Sequence, residues 1–151
     1  MIPYFKISPN FDFHEMTRTR HVGLQQENME WAVPYLFNLR EFCENILEPI
    51  RTVLGPMVVS SGFRCKSVNE WVKGSKNSSH QFGIAADIFR PEWDFKAVTE
   101  AGWKAYNLCK EKNINAKIII EASGGVFWLH INKFNTLCLY EGIAGVYKKI
   151  A

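Results

Sequence analysis

The pattern of apolar and polar positions predicts two long helices in this chain. The first begins at Pro34, because proline suits the first turn of a helix, and its apolar positions recur with a 3.6-residue period. These positions are Leu36, Leu39, Phe42, Cys43, Ile46, Leu47 and Ile50. We expect Pro49 to kink this helix and Gly55-Pro56 to end it. The second helix spans about Asp94–Lys112, with Asp94 as its N-cap.

Short apolar runs bounded by turn residues predict the strands. They are Met57–Ser60, Ile84–Phe89, Lys117–Glu121, Val126–Ile131 and, as a further candidate, Leu137–Tyr140. A short helix is expected over about Ser67–Val72, and residues 1–28 are expected to form an irregular N-terminal arm. Long helices ahead of and between short strands are typical of the α+β class, with helices packed on a small antiparallel sheet. We therefore predict a single α+β domain over residues 1–151.

Composition excludes several classes of protein. Hydrophobic residues make up 47% and charged residues 22% of the chain, which is ordinary for a globular domain. The longest apolar runs, such as Ile118–Ile120, are far shorter than the roughly 20 residues of a membrane helix. The segment MIPYFKISPNFDFHEM lacks the apolar stretch of a signal peptide, so we expect none. A net charge of +3 does not indicate a nucleic-acid partner.

Four cysteines lie far apart in the sequence, at Cys43, Cys65, Cys109 and Cys138, and none belongs to a Cys-x-x-Cys pair. This spacing favours free, mostly buried thiols over a structural disulfide or a cysteine zinc site.

The stretch from Ser78 to Asp87 has the strongest chemical signal. His80 follows a polar loop and Asp87 lies in an otherwise apolar strand, so the two side chains can converge on one point. An unpaired carboxylate is costly to bury in such a strand. We therefore expect a cation beside Asp87, which is either a metal ion or a basic side chain such as Arg64.

His130 is a third candidate ligand, because it lies within the apolar run Phe127–Ile131. Two imidazoles and one carboxylate leave the fourth position of a tetrahedral zinc ion open, as in hydrolytic rather than structural sites. Taken alone, His130 is also compatible with a hydrogen-bonded histidine of the core, and a His-x6-Asp spacing also occurs by chance.

Considered together, these residues resemble a known family. The matching segments are Ser78-x-His80-x-x-Gly83-x-Ala85-x-Asp87, Ser61-Gly62-Phe63-Arg64, Trp128-x-His130 and Phe13-His14-Glu15-Met16-Thr17. They resemble the D-alanyl-D-alanine carboxypeptidase family of zinc peptidases, which includes phage endolysins that cut L-alanyl-D-glutamate bonds and shares the hedgehog/DD-peptidase fold. The resemblance extends from about Phe11 to Ile131 and is greatest to the small phage-type branch.

The resemblance implies one zinc ion per chain, bound by His80, Asp87 and His130. It also implies that Arg64 binds the substrate carbonyl or the developing oxyanion, for which a guanidinium is well suited; the alternative is a structural ion pair. Ser61 and Ser78 are candidates for substrate binding or for making turns. The implied substrate is a peptidoglycan stem peptide, and we expect a monomer in the bacterial cytoplasm that reaches the wall after release.

The general base is the point at which this chain departs from its relatives. Many of them have a carboxylate or histidine three residues before the last zinc histidine, but here that residue is Phe127. Glu121 is the nearest upstream carboxylate. If residues 122–127 form the loop, Glu121 pairs with Trp128 and lies on the same face as His130; if the turn is tight and Glu121 pairs with Val126, it lies about 13 Å away. We predict Glu121 as the base, with an exposed strand-end carboxylate as the alternative.

Two other functions compete with a peptidase. The absent carboxylate at position 127 is compatible with a non-catalytic zinc-binding module of the hedgehog type. A purely structural domain, in which the histidines and the aspartate are coincidental, is the third possibility.

Overall fold

A computed structural model describes residues 4–151 of the chain. The helices are α1 (Phe13–Thr17), α2 (Gln25–Ala32), α3 (Leu36–Phe42), α4 (Glu48–Leu54), α5 (Lys66–Trp71) and α6 (Phe95–Lys112). The strands are β1 (Lys6–Ser8), β2 (Phe11–Asp12), β3 (Val58–Ser61), β4 (Ala85–Phe89), β5 (Ala116–Ser123), β6 (Val126–Lys133), β7 (Cys138–Ile143) and β8 (Val146–Lys149).

A six-stranded sheet with the order β3-β4-β6-β5-β7-β8 forms the centre of the fold, and β1 and β2 form a separate hairpin. This arrangement confirms the predicted α+β class. The sheet is mixed rather than wholly antiparallel, because β7 pairs with β5 in parallel. Residues 134–137 connect β6 to β7, and these two strands flank β5 on opposite sides.

One face of the sheet is covered by α6 and belongs to the core. Asp94 caps this helix as predicted, since its Oδ1 accepts a hydrogen bond from Ala97 N at 2.8 Å. A Cβ on Gly102 would lie 2.5 Å from Ile120 Cγ1, so the glycine allows the helix to approach the sheet closely. Side chains alternate across a strand, and the opposite face of the sheet is therefore left for the residues described below.

The predicted irregular arm is wrong for residues 4–28, which form β1, β2, α1 and the beginning of α2. These short elements depend on contacts distant in sequence. The Glu48 carboxylate accepts hydrogen bonds from Ser8 Oγ at 2.7 Å and Asn10 N at 2.6 Å. Phe13 is fully buried, and Asp12 caps α1 through a 2.7 Å hydrogen bond from Glu15 N. Residues 1–3, which include Pro3, lie outside the described residues.

The predicted helix from Pro34 is interrupted where a kink was expected. Residues 43–47 form a π-helical turn, and Pro49 stands in the first turn of α4. Because proline has no N–H to donate to the preceding turn, the widened turn accommodates it within the helical stack.

All four cysteines are buried and free, in agreement with the sequence analysis. Burial raises the pKa of the Cys109 thiol to about 11, so this thiol is protonated at neutral pH. Across residues 4–151, no helix combines the length and the apolar character needed to span a bilayer.

Candidate metal centre

The register of three strands brings polar side chains together on the face opposite α6. Ser61 of β3 pairs with Asp87 of β4, and Asp87 pairs with His130 of β6. Directly opposed residues project from the same face of a sheet. The candidate ligands Asp87 and His130, which are 43 residues apart in sequence, are therefore neighbours because of strand pairing.

His80 reaches the same place from a short 3-10 helix, Ser79–Phe82. The helix is capped by Ser78 Oγ, which accepts a hydrogen bond from His80 N at 3.3 Å. The ring is 2% exposed, and its Nδ1 lies 2.7 Å from Gly62 O. Because a carbonyl oxygen only accepts, Nδ1 must be the protonated nitrogen, and Nε2 faces Asp87 Oδ2 at 3.5 Å with its lone pair. Burial lowers the pKa of His80, which favours this neutral form.

Asn132 determines the tautomer of His130. Its amide nitrogen donates to Lys133 O at 2.7 Å, so its Oδ1 is the atom that lies 2.9 Å from His130 Nε2. An amide oxygen accepts, and Nε2 therefore carries a proton. The other ring nitrogen, Nδ1, faces Asp87 Oδ1 at 2.9 Å.

Three potential ligand atoms thus converge, all within 4.8 Å of one another. In the neutral imidazole forms, two nitrogen lone pairs would face a carboxylate, an arrangement that needs a cation at its centre, either a metal ion or a proton on His130. Burial by itself would raise the pKa of Asp87, whereas His80 and His130 lower it well below its usual range when their rings carry positive charge and donate to the carboxylate. Ligand atoms about 2.0–2.2 Å from a tetrahedral zinc ion lie about 3.4 Å apart. His130 Nδ1 lies 2.9 Å from Asp87 Oδ1 and His80 Nε2 lies 3.5 Å from Asp87 Oδ2, so each histidine is near this spacing from one carboxylate oxygen.

Arg64 forms an ion pair within the protein. Its Nη2 donates to Asp87 Oδ2 at 2.9 Å and its Nε donates to Ser61 Oγ at 2.8 Å. The ion-pair alternative from the sequence is therefore present in this structure, and the hydroxyl of Ser61 orients the guanidinium. Ser78 makes the turn that positions His80. Direct binding of substrate by Arg64, Ser61 or Ser78 stays a prediction.

Glu121 lies on the face that carries His130. It pairs with Trp128, the partner predicted with a loop over residues 122–127. The longer loop considered with that pairing does not form: Ser123 pairs with Val126, so the turn is Gly124-Gly125. The strands remain paired as far as Ser123 and Val126, and Glu121 therefore lies opposite Trp128 rather than opposite Val126.

The environment of Glu121 differs from that of an exposed strand end. The residue is 8% exposed, and its Oε1 accepts a hydrogen bond from Tyr147 Oη at 3.2 Å. Burial raises the pKa of Glu121, and the Tyr147 hydrogen bond partly opposes this rise. A Cβ on Gly142 would lie 2.8 Å from Glu121 Oε2 and 2.6 Å from Tyr147 Cε1. Gly142 therefore provides the room in which these two side chains meet.

Asp87 faces two adjoining cavities. The first, of about 380 Å³, is lined by Arg20, Ser60, Asp87, Phe89, Ser123, Val126, Phe127 and Trp128. The second, of about 220 Å³, is lined by Arg18, Thr19, Arg20, Ser60, Ser61, Arg64, Val68, Trp71, Val72 and Asp87. Because Arg20, Ser60 and Asp87 line both cavities, they form one groove that passes the ligand cluster.

The sequence analysis did not identify Asn132 or Tyr147. Asn132 had a usable signal, since it is polar, follows His130 by two residues and so shares its face of β6. Tyr147 had none, because its contact with Glu121 depends on β7 and β8 pairing in a register that no local pattern specifies.

Comparison with known protein families connects the chain to one of them. A family model described as Peptidase M15 matches residues 9–111. The matched region contains Ser61, Arg64, His80 and Asp87, whereas His130 lies beyond its end. No curated protein matches the chain.

Proposed function

The chain belongs to the peptidase M15 family of zinc peptidases, and from this premise we propose that it hydrolyses peptide bonds of bacterial peptidoglycan. The substrates are stem peptides, cut either as by a DD-carboxypeptidase or as by an endolysin-type endopeptidase. The three ligands of the zinc ion are His80, Asp87 and His130.

The access of Asp87 to the groove is the observation that carries this proposal. His80 is buried, yet the carboxylate beside it lines both cavities. A structural zinc site is closed by four protein ligands, whereas a catalytic site has three and an open position. Three converging ligands beside a groove favour catalysis over a structural role.

Zinc, when bound, would polarise the scissile carbonyl and lower the pKa of water. Glu121 serves as the general base that takes a proton from the attacking water and passes it to the leaving amine. Its raised pKa supports this role, because a base works best when its pKa approaches the operating pH. Arg64 stabilises negative charge that develops on the substrate oxygen.

The test is digestion of purified peptidoglycan by the full-length protein. Zinc-loaded protein, protein treated with a chelator, and treated protein with zinc restored are compared, and soluble products are identified by mass spectrometry. We expect release that is lost with the chelator and regained with zinc. Release of single D-alanine identifies a carboxypeptidase, and release of larger fragments identifies an endopeptidase.

The non-catalytic module is the competing function, favoured by Phe127 at the position where relatives have a base. Stoichiometric zinc binding without hydrolysis of any wall preparation would support the module. The observation against a non-catalytic module is that the buried Glu121 carboxylate lies on the sheet face that carries His130.

A further inference from the structure

Three arginines surround the smaller of the two cavities beside the ligand cluster. Arg18, Arg20 and Arg64 line this cavity together with a single acidic residue, Asp87. Asp87 accepts a hydrogen bond from Arg64 and faces both histidines. The cavity therefore presents an excess of positive charge to whatever enters the groove.

Arg18 and Arg20 belong to the segment that follows α1. Arg18 ends the helix with an extended backbone, φ −66° and ψ 139°, and the side chains of Arg18 and Arg20 line the same cavity. The Gln25 side chain holds this segment at two points, since its Nε2 donates to Thr17 O at 3.1 Å and its Oε1 accepts from Thr19 N at 2.9 Å.

The buried side chain of Asn28 connects this segment to the loop that carries Arg64. Its Nδ2 donates to Thr17 O at 2.7 Å and to Phe63 O at 3.0 Å, and its Oδ1 accepts from Cys65 N at 2.7 Å. The amide thus bonds to residues on both sides of Arg64 and to the residue before Arg18. The backbones of the arginine segments are therefore held in a fixed relation before any ligand binds.

The two outer guanidinium groups retain most of their hydrogen-bonding capacity. Arg18 Nη2 donates to Val59 O at 2.9 Å, and a guanidinium has five N–H donors. Arg20 is exposed, and its side chain has no hydrogen bond or ion pair among residues 4–151. Solvated surface arginines are common, but these two line a concave surface that continues to the candidate ligands.

We propose that Arg18 and Arg20 form a binding site for a carboxylate of the substrate peptide, on the Trp71 side of the ligand cluster. This inference rests on the proposed function for the identity of the peptide. Arginine is suited to the role because its planar fork of donors matches a carboxylate in two parallel hydrogen bonds. The carboxylate is either the C-terminus of the peptide or the free carboxyl group of its glutamate.

The test measures binding to full-length, zinc-loaded protein that carries Glu121→Gln to slow turnover. Three synthetic stem peptides are compared by calorimetry: one with all carboxylates free, one with an amidated C-terminus, and one with an amidated glutamate. We expect one of the two amidations to weaken binding about tenfold, as for the loss of hydrogen bonds to a charged group. The amidation that does so identifies the source of the carboxylate.

Arg20→Gln, alone and with Arg18→Gln, should abolish the difference between the free and the amidated peptide. Arg40→Gln is the matched control, since Arg40 is an exposed arginine of α3 paired with Glu44, and it should preserve the difference. Equal binding of all three peptides, or undiminished discrimination by the double variant, overturns the carboxylate site.

The outcome is separable from that of the peptidase proposal. If the wall is not hydrolysed but the arginine-dependent discrimination is present, the carboxylate site stands and the peptidase function does not. If the wall is hydrolysed and the double variant discriminates as the parent does, only the carboxylate site is overturned.

Discussion

The two sides of the metal centre are held in place by different kinds of contact. On the side of His80 and Arg64, the backbone fixes the histidine: its Nδ1 donates to Gly62 O at 2.7 Å, and Arg64 N donates to His80 O at 3.0 Å. On the side of β5, β6 and β8, side chains hold other side chains, as Asn132 holds His130 and Tyr147 holds Glu121.

The two kinds of contact predict different consequences of substitution. Because the His80 ring is oriented by the backbone carbonyl of Gly62, substitution of a neighbouring side chain does not remove the contact that orients it. The opposite side can be altered residue by residue, because Asn132 determines the tautomer of His130 and the Tyr147 hydroxyl lowers the pKa of Glu121. Substitutions on the two sides should therefore have effects of different size and kind.

The largest expected effect is loss of the metal. Purified protein should contain about one zinc per chain, and His80→Ala or His130→Ala should lose most of it, because each removes one of three protein ligands. His14→Ala is the control, since His14 is an exposed histidine stacked on Tyr4. Elemental analysis after dialysis measures the content. Full occupancy in the His80→Ala/His130→Ala double variant would exclude these ligands.

The second largest effect is expected for Glu121→Gln. Gln retains the size and the acceptor for Tyr147 but cannot take a proton, so hydrolysis should fall about a hundredfold to ten-thousandfold with zinc content unchanged. Because burial raises the pKa of Glu121, wild-type activity should decline on the acidic side at a pH above the ordinary glutamate value. The variant should lack this acidic limb. Activity within threefold of wild type would exclude Glu121 as the base.

The sequence predicts the parts of this molecule that rest on local patterns. The helix Phe95–Lys112 is predicted almost to its ends, because a capping aspartate and a regular apolar face are both local. His80, Asp87 and His130 stand out because they are polar in apolar or tight segments. The arm, the parallel pairing of β5 with β7 and the contact between Tyr147 and Glu121 escape prediction, since each depends on contacts between residues distant in sequence.

Arg64 tests whether the backbone-fixed side also acts on the substrate. Arg64→Lys retains a charge that can pair with Asp87 but loses the planar fork, so turnover should fall about tenfold to a thousandfold while zinc stays bound. Steady-state kinetics and zinc content are measured together. Wild-type turnover would mean that the ion pair with Asp87 is the whole role of Arg64.

Asn132 makes a smaller contribution, because it acts through His130. Asn132→Leu removes the acceptor of His130 Nε2 and should weaken zinc binding about tenfold to a hundredfold, as for other hydrogen-bond partners of metal ligands. Asn132→Asp retains an acceptor and should preserve the affinity. Competition with a chelator measures the affinity independently of activity. Equal affinities for the Leu and Asp variants would show that the contact does not orient His130.

The smallest effect is expected for Tyr147→Phe, which removes only the hydroxyl that contacts Glu121. The hydroxyl donates to the Glu121 carboxylate and lowers its pKa, so its loss should raise that pKa further. A base must be ionised to act, and the acidic limb of the pH–rate profile should therefore move to higher pH. Activity should fall by less than about tenfold on that limb, consistent with one hydrogen bond, and stay unchanged on the plateau where Glu121 is ionised.

Tyr140→Phe on the neighbouring strand is the matched control and should leave the limb in place. A limb that does not move in Tyr147→Phe, although present in wild type and absent in Glu121→Gln, would show that the tyrosine does not tune the base.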